Sequence, residues 1–366
     1  MIERSFSGAR VLVTGHTGFK GSWLTAWLLR MGAEVTGIAL DPPTSPSHHD
    51  AGGFGDRIRD LRVDVRDAAA LKAAVVESRP QFVFHLAAQA LVRDSYEHPI
   101  ATWSTNLMGS LHLLEALRCL RDPCAAVMVT SDKCYDNVEW VWGYRETDPL
   151  GGPDPYSGSK GGAELAIRSH VKSFFSTQDS PVRIAVARAG NVIGGGDWSP
   201  NRIVPDCVKA WSRGGSVMLR NPLSTRPWQH VLEPLSGYLQ IAAAVRERRE
   251  LHGQAFNLGP IEHRNHTVLD VVREMARHWD RVQWEDASAG TTGPYESGLL
   301  RLNCDKALHV LGWHAVMGFE ETVRMTAEWY RSFYSADGHG RIANVTDRQI
   351  AEYVDAARAR GIRWAL

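Results

Sequence analysis

The sequence has no excess of charge of either sign, because 41 lysine and arginine residues are balanced by 41 aspartate and glutamate residues. It has no basic tract, which argues against nucleic acid or an anionic membrane as the main partner. No apolar run approaches the roughly 20 residues that a helix needs to span a bilayer. The first residues lead almost directly into a predicted strand, so we expect no signal peptide.

Cysteine is also scarce. The 366 residues contain five cysteines, an odd number, and no CxxC pair. This usage favours reduced thiols in the cytoplasm over a disulfide framework or a zinc site. No spacing of histidine, cysteine and carboxylate residues suggests a metal site, and we expect no bound metal. These absences leave a cytoplasmic globular enzyme or binding protein.

What the sequence does contain is an alternation of short, β-rich apolar runs and helical patterns. The predicted strands are Arg10–Thr14, Glu34–Leu40, Leu61–Asp64, Gln81–Ala87, Ala125–Thr130, Val182–Arg188 and, later in the chain, Ala255–Leu258. The predicted helices of the first half lie near Gly21–Met31, Ala68–Ser78, Ile100–Leu120 and Pro155–Phe175. Strands rich in valine and leucine that alternate with helices predict an α/β fold, with a doubly wound parallel sheet of the Rossmann type.

The pattern changes after residue 190, and we expect two lobes and a tail. Residues 1–190, rejoined by residues 230–262, form the predicted sheet domain. Residues 191–229 and 263–340 form a smaller α/β substrate lobe, in which one helix begins at the capping residue Thr267. Residues 341–366 form a helical tail, where a capping box from Thr346 to Gln349 predicts a helix that ends at Gly361.

A glycine-rich turn follows the first predicted strand, with Gly15, Gly18 and Gly21 in a G-x-x-G-x-x-G spacing. These glycines permit a tight turn, a close backbone approach to a pyrophosphate, and packing of the next helix on the sheet. A glycine triplet alone also occurs in structural turns, but this position predicts a dinucleotide site. The predicted cofactor-binding residues are Gly15, Thr17, Gly18, Phe19, Lys20, Gly21, Asp41, Asp64, Val65, Leu86, Ala87, Ala88, Gln89, Thr105, Tyr156 and Lys160.

Asp41 decides which dinucleotide is predicted. It ends the second strand, where a carboxylate accepts hydrogen bonds from the adenosine ribose and repels a 2′-phosphate, so the sequence favours NAD over NADP. The alternative is that Asp41 only opens the Asp41-Pro42-Pro43 turn. Asp64, at the end of the third strand, is placed to bind the adenine amino group.

Tyr156 and Lys160 form a Y-x-x-x-K pair near the start of a predicted helix, where they share one face. Lys160 can lower the pKa of Tyr156, so that the phenolate acts as a base near neutral pH. Ser131, at the carboxyl end of the fifth strand, completes an apparatus for moving a proton and a hydride at a secondary alcohol. Asp132 as an acid and Lys133 as a base would add a β-elimination site; alternatively, Asp132 lies in a surface turn and pairs with a cation.

Six stretches of the sequence resemble the CDP-glucose 4,6-dehydratase family of the extended short-chain dehydrogenases/reductases. They are Gly15–Trp23, Ala87–Tyr96, Ser131–Tyr135, Trp140–Glu146, Ala189–Trp198 and Arg226–Val231. The dTDP-glucose dehydratases resemble the chain more distantly, because they carry Asp-Glu where it has Asp132-Lys133. One departure from the family is the group of glycines around Lys160, namely Gly158, Gly161 and Gly162.

The resemblance implies a lyase that acts on CDP-glucose with tightly bound NAD. Tyr156 takes the proton of the C4 hydroxyl while NAD takes the C4 hydride, Lys133 removes the C5 proton, and Asp132 protonates the departing C6 hydroxyl. The hydride then returns to C6. The resemblance also implies a set of substrate-binding residues, namely Arg93, Ser131, Asn191, Arg202, Arg226 and Arg301.

Two alternatives stay open: another dehydratase or an epimerase for dTDP-, UDP- or GDP-sugars, and a redox sensor that binds NAD without chemistry. The loop that holds Trp140 and Trp142 either walls the cleft or packs on the second lobe. The resemblance implies a homodimer or homotetramer in which the helices near Ile100–Leu120 and Pro155–Phe175 pair across a two-fold axis. The apolar residues expected there, which are equally compatible with a core role, are Leu107, Leu111, Leu114, Leu117, Ala163, Ala166 and Ile167.

Overall fold

A parallel sheet forms the centre of the computed structural model, which describes residues 2–177, 180–261, 266–287, 299–335 and 341–366. The strands are β1 (Arg10–Thr14), β2 (Glu34–Ala39), β3 (Arg59–Arg62), β4 (Phe82–His85), β5 (Cys124–Val129), β6 (Val182–Ala189), β7 (Val192–Ile193), β8 (Val217–Leu219), β9 (Thr225–Arg226), β10 (Gln229–His230), β11 (Ala255–Leu258), β12 (His266–Thr267) and β13 (Trp284–Asp286). Seven of them form the main sheet in the order β11-β6-β5-β4-β1-β2-β3. The predicted doubly wound α/β fold is confirmed.

Helices cover both faces of this sheet. They are α1 (Ile2–Phe6), α2 (Phe19–Arg30), α3 (His48–Ala51), α4 (Ala68–Ser78), α5 (Val92–Glu97), α6 (Pro99–Trp103), α7 (Gly109–Leu117), α8 (Pro155–His170), α9 (Ile203–Trp211), α10 (Leu232–Glu247), α11 (Val268–Ala276), α12 (Phe319–Tyr334) and α13 (Ile342–Ala359). Single π-helical turns join α6 to α7 at Ser104–Met108, extend α8 at Val171–Phe175, and lie at Ala307–Leu311.

Alternate residues of each strand face opposite helical layers, because successive side chains of a strand point to opposite faces. Leu12 of β1 lies in a core with α4, α7 and α8, whereas its neighbours Val11 and Val13 lie in a larger core with α2, α10, α12 and α13. Burial on both sides explains why these strands are almost continuously apolar.

The carboxyl ends of the central strands are in register. Thr14 at the end of β1 lies opposite Ile38 of β2 and His85 of β4, and His85 lies opposite Met128 of β5. The loops that follow these strands therefore meet at one edge of the sheet, where ligands bind in open α/β sheets.

The small strands lie outside the main sheet, in three pairs: β7 with β10, β8 with β13, and β9 with β12. Thr267 caps α11 as predicted, since its side chain accepts the backbone N–H of Asp270 in a reciprocal capping box. None of the helices in the described part of the chain combines the length and the apolarity that crossing a membrane requires.

Two predicted boundaries are wrong. Strand β3 begins at Arg59 and ends before Asp64. It is an edge strand rich in charged residues, so it lacks the apolar run from which the bounds of a strand are predicted. Helix α13 begins at Ile342, four residues before the predicted capping box, so Thr346 lies inside the helix and is buried. Its hydroxyl instead contacts His48 Nε2 at 3.0 Å and the Trp329 indole N–H at 3.1 Å.

Candidate active site

The glycine turn after β1 is shaped for close approach of a ligand backbone. Gly15 has a φ of +77°, and a Cβ added there would lie 2.7 Å from the Ala87 nitrogen. A Cβ on Gly21 would lie 2.0 Å from the Gly15 carbonyl oxygen. Gly18 is the N-cap of α2 and supplies no capping side chain, so the first N–H groups of the helix are left to a ligand. This cradle fits the diphosphate of a dinucleotide.

Two carboxylates predicted to bind adenosine are engaged with arginines. Asp41 is exposed just beyond β2, and its Oδ1 lies 3.4 Å from Arg62 Nε. Asp64 Oδ2 accepts a hydrogen bond from Arg66 Nη2 at 2.6 Å, and this bond lowers the pKa of Asp64. Within the same wall, Val65 is buried against Gly109 of α7.

The segment Leu86–Gln89 follows β4 and is half-buried, as is Thr105 on the neighbouring π turn. Asn106 fixes this segment, because its side chain accepts the Gln89 backbone N–H at 2.8 Å and donates to the Gln89 carbonyl at 3.1 Å. It also donates to the hydroxyl of Ser159 at 2.9 Å. Sequence reasoning missed Asn106. The signal in the sequence was an asparagine within a predicted helix, and the structure shows that this asparagine is buried.

The five residues predicted to carry catalysis lie on two elements that pack together. Ser131 caps a 3₁₀ turn at Asp132–Cys134, and its hydroxyl donates to Asp132 Oδ1 at 2.9 Å. Tyr156 and Lys160 are both buried on α8, with Lys160 Nζ 6.0 Å from the centroid of the Tyr156 ring. Asp154 caps this helix by accepting the Ser157 N–H, and Pro155 occupies its first position.

Burial dominates the titration of this group. It raises the pKa of Asp132, against the opposing effect of Lys133, because loss of solvent destabilises the charged carboxylate. It also raises the pKa of Tyr156 to about 12 and lowers the pKa of Lys160 to about 8. Burial outweighs the hydrogen bond with Ser131 and the positive charge of Arg202, both of which lower the pKa of Tyr156.

Lys20 belongs to the same cluster. Burial lowers its pKa to about 8, while nearby Asp132 raises it and Arg202 and Lys160 lower it further. Lys20, in the first turn of α2, is therefore within electrostatic range of Asp132.

A buried polar network behind the catalytic turn was not predicted. The Thr130 hydroxyl donates to Glu164 Oε1 at 2.5 Å, and Arg188 donates to both Glu164 oxygens at 2.8 Å. Arg188 also donates to the Tyr135 hydroxyl at 2.7 Å, and that hydroxyl donates to Asn257 Oδ1 at 2.7 Å. The network joins β5, α8, β6 and β11, so it fixes both ends of the turn that holds Asp132.

Glycines near Lys160 have a packing reason. Trp103 of α6 lies over α8, and a Cβ on either Gly158 or Gly162 would approach its ring to 3.0 Å. A Cβ on Gly161 would lie 3.0 Å from the Gly151 nitrogen. The departure from serine and alanine therefore admits close neighbours.

The predicted substrate-binding residues divide into a group near Tyr156 and Asp132 and a pair of arginines later in the chain. Arg202 bonds Asp197 at 2.8 Å and adjoins Tyr156, and Gly190, just before Asn191, lies against the carboxylate of Asp132. Arg93 lies on α5, and its side chain contacts the side-chain oxygen of Asn201, the residue before Arg202.

Arg226 and Arg301 form the second group. Arg226 lies on β9 and donates to the carbonyl of Thr225, and the carbonyl of Arg301 accepts the N–H of Tyr144. Trp140 packs on Tyr144 with ring centroids 5.2 Å apart, whereas Trp142 is 65% exposed. Tyr144 thus connects the tryptophan loop to the segment of the second lobe that holds Arg301.

A cluster of three titratable groups lies beside the glycine turn. Asp60 receives His16 Nε2 at 2.9 Å, His49 Nε2 at 3.3 Å and Arg62 Nη2 at 2.9 Å. The sequence spacing gave no sign of it, since the three acidic and imidazole groups come from separate elements. Arg62 already supplies a positive charge to this carboxylate.

Comparisons with known proteins match most of the chain. The family described as GDP-mannose 4,6 dehydratase matches residues 12–326. The CDP-glucose 4,6-dehydratase of Salmonella typhimurium is 45% identical over 361 residues, covering 97% of this chain and 99% of that protein. The dTDP-glucose 4,6-dehydratase of Xanthomonas campestris is 25% identical, covering 87% and 92%. Among solved structures, the dTDP-glucose 4,6-dehydratase of Bacillus anthracis in complex with NAD has a TM-score of 0.69 at 21% identity, covering 88% of this chain and 96% of that one, which is a likeness of fold.

Proposed function

Because the chain belongs to the GDP-mannose 4,6 dehydratase family, we propose that it is a CDP-glucose 4,6-dehydratase, which converts CDP-D-glucose to CDP-4-keto-6-deoxy-D-glucose and water. One observation carries this function: a buried carboxyl with a raised pKa, Asp132, lies in one turn with a lysine and beside a buried Tyr156. Oxidation of an alcohol alone does not need that carboxyl, but loss of water does.

Tyr156 acts first, as the base for the C4 hydroxyl. Burial raises its pKa to about 12, so the phenol must first lose its proton, and the hydrogen bond with Ser131, which lowers this pKa, would stabilise the phenolate that then accepts the C4 hydroxyl proton. The chemistry that bound NAD supplies is acceptance of the C4 hydride and its later return to C6. Gly15, Gly18 and the start of α2 would hold its diphosphate, and Lys160 would hold the nicotinamide ribose.

Lys133 and Asp132 then carry out the elimination. A ketone at C4 acidifies the C5 proton, and half-buried Lys133 removes it. Lys133 gives this proton back to C5 when the hydride is delivered to C6. Asp132 delivers its proton to the C6 hydroxyl, which departs as water. The two residues are adjacent on one 3₁₀ turn, which follows β5 at the edge of the sheet where ligands bind.

We also propose a homodimer or homotetramer built on the layer of α6, α7 and α8. Several of the expected interface residues are excluded, because the structure buries Leu114, Leu117, Ala163 and Ile167 in the core of the chain itself. The same layer instead exposes large apolar side chains, namely Ile100, Trp103, Met108, Leu165 and Phe174. A patch of this kind is typical of a protein interface.

A cytoplasmic location is proposed as well, which the five free cysteines support.

The proposed function is tested by offering the purified protein CDP-, dTDP-, UDP- and GDP-glucose with NAD. Mass spectrometry of the products should show loss of one water, with the highest kcat/KM for CDP-glucose. An isomeric product of unchanged mass would contradict the dehydratase and favour an epimerase. If only another nucleotide sugar lost water, the proposed dehydration would stand and CDP-glucose as its substrate would be wrong.

A further inference from the structure

Two arginines from distant parts of the chain share one acceptor next to the catalytic cluster. Arg220 Nη1 lies 3.1 Å from Asn201 Oδ1, and Arg93 Nη1 lies 3.4 Å from the same oxygen. Asn201 holds this oxygen in place from a left-handed backbone conformation, with a φ of +62°. Arg220 follows β8 of the second lobe, whereas Arg93 lies on α5 at the edge of the main sheet.

This arginine pair adjoins the reaction centre through Arg202. Arg202 directly follows Asn201 and is the N-cap of α9, where it supplies no capping side chain. It bonds Asp197 at 2.8 Å, and nearby Tyr156 adds to the raising of its pKa after Asp197, its main cause. The first N–H groups of α9, a nine-residue helix, lie at the same end as the three arginines.

The charges around Asn201 do not balance. Arg93, Lys209 and Arg220 all act on Asp206, whose own pKa burial raises, and Arg202 pairs with Asp197. Among these groups the cations outnumber the carboxylates. Two guanidinium groups that share one amide oxygen also repel each other, and an anion between them turns that repulsion into attraction.

We infer that Arg220, together with Arg93 and Arg202, binds the diphosphate of the nucleotide sugar, with Asn201 holding the two outer arginines in position. The inference rests on the proposed function and adds a residue to its substrate site. Arginine suits the task because its planar fork binds two phosphate oxygens at once. Arg220 is 37% exposed on its side chain, so it remains accessible to a ligand.

The test compares R220Q with R213Q, a control at an exposed arginine beyond the opposite end of α9. R220Q should raise the KM for CDP-glucose by about 10- to 100-fold, the usual effect of losing a charged hydrogen bond, with kcat within about threefold. R213Q should match the parent. Calorimetric titration should show the same loss for CDP in R220Q, and unchanged affinity for cytidine.

The binding arms separate the inference from the proposed function. An inactive parent would remove the proposed function, while titration of CDP into the parent and R220Q would still decide the role of Arg220. The inference is overturned if R220Q binds CDP as tightly as the parent, or if the parent binds no CDP. An equal loss of affinity for cytidine would also overturn it, because Arg220 would then contact the nucleoside.

Discussion

Asp41 and Arg62 form an exposed ion pair where the adenosine ribose of the cofactor is expected. The carboxylate should repel the 2′-phosphate of NADP. If the carboxylate were replaced by a neutral group, the arginine would attract that phosphate. We therefore predict that the parent binds NAD more tightly than NADP, and that Asp41→Asn narrows this preference by about tenfold, or about 1.4 kcal/mol. Fluorescence titration with both dinucleotides measures it. A parent that prefers NADP would show that Asp41 serves only the turn.

At the scale of single residues, the sequence predicts the reacting groups better than their partners. Tyr156 and Lys160 are four residues apart on one helix, so local spacing reveals them. Asn106 and Arg220 take their roles from residues far away in the chain, such as Ser159 and Asn201. Sequence spacing carries no trace of such contacts. The raised pKa of Tyr156 likewise has no local sequence signal, because burial depends on the whole fold.

At the scale of elements, the ion pair between Glu164 and Arg188 joins α8 to β6 beneath the catalytic turn. Both side chains are 4% exposed, so removal of one charge leaves the other buried without its partner. We predict that Glu164→Gln lowers the free energy of unfolding by about 3 to 5 kcal/mol. Urea titration followed by circular dichroism measures this change.

The matched control is Glu115→Gln, which removes the carboxylate that Arg118 pairs with at 2.7 Å on the surface of α7. Since both partners are more than a third exposed, this change should cost less than about 1 kcal/mol. If the two substitutions lowered the free energy of unfolding equally, the buried ion pair would not be what stabilises the packing of α8 on β6.

The sequence predicts the central elements well and the peripheral ones less well. Strand β1 matches its prediction because it is a continuous apolar run between Arg10 and the glycine that follows Thr14. Strand β3 and helix α13 were misplaced at their starts, since a charged edge strand and a helix inside a buried tail lack those local signals. Their positions are set by contacts that other elements provide.

At the scale of the whole molecule, Glu233 ties the sheet domain to the C-terminal tail. Fully buried on α10, its carboxylate accepts the N–H of Val316 at 2.9 Å and the hydroxyl of Tyr353 on α13 at 2.7 Å. Burial raises its pKa to about 7 in spite of these bonds. The folded chain therefore keeps a proton that the unfolded chain releases.

This difference predicts how stability depends on pH. The contribution of neutral Glu233 is fully present below its unfolded pKa and is lost as pH rises from about 4.5 to about 7. The loss should reach about 3 kcal/mol in the free energy of unfolding. Glu233→Gln cannot titrate, so the difference between parent and variant should change by that amount across the window. A difference that stays constant with pH would contradict the raised pKa.

The exposed apolar side chains of α6 and α8 lead to a prediction about assembly. Ile100 is 80% exposed, and a lysine there would place a charge in the proposed interface. We predict that light scattering at micromolar concentration shows an oligomer for the parent and a smaller species for Ile100→Lys. Leu223→Lys, at an apolar residue that is 77% exposed outside this layer, should keep the parent mass. A monomeric parent would remove the proposal.

The parallel sheet at the centre of the molecule follows from the sequence, but the packing of the C-terminal tail does not. The contact of His48 with Thr346 and that of Glu233 with Tyr353 each span more than a hundred residues. Periodicity predicts that the tail is helical and leaves open what it covers. These contacts place α13 against α3 and α10.

The most direct test of the dehydratase is a single turnover of Asp132→Asn with CDP-glucose and NAD. Asparagine keeps the size and a hydrogen bond of Asp132 but cannot deliver a proton, so the elimination should slow by ~10²–10⁴-fold. Oxidation at C4 depends on Tyr156, Lys160 and Ser131, which this change leaves intact. The absorbance of reduced cofactor should therefore accumulate while 4-keto-6-deoxy product forms slowly, and Tyr156→Phe should abolish both signals. Product formation by Asp132→Asn at the parent rate would contradict the account.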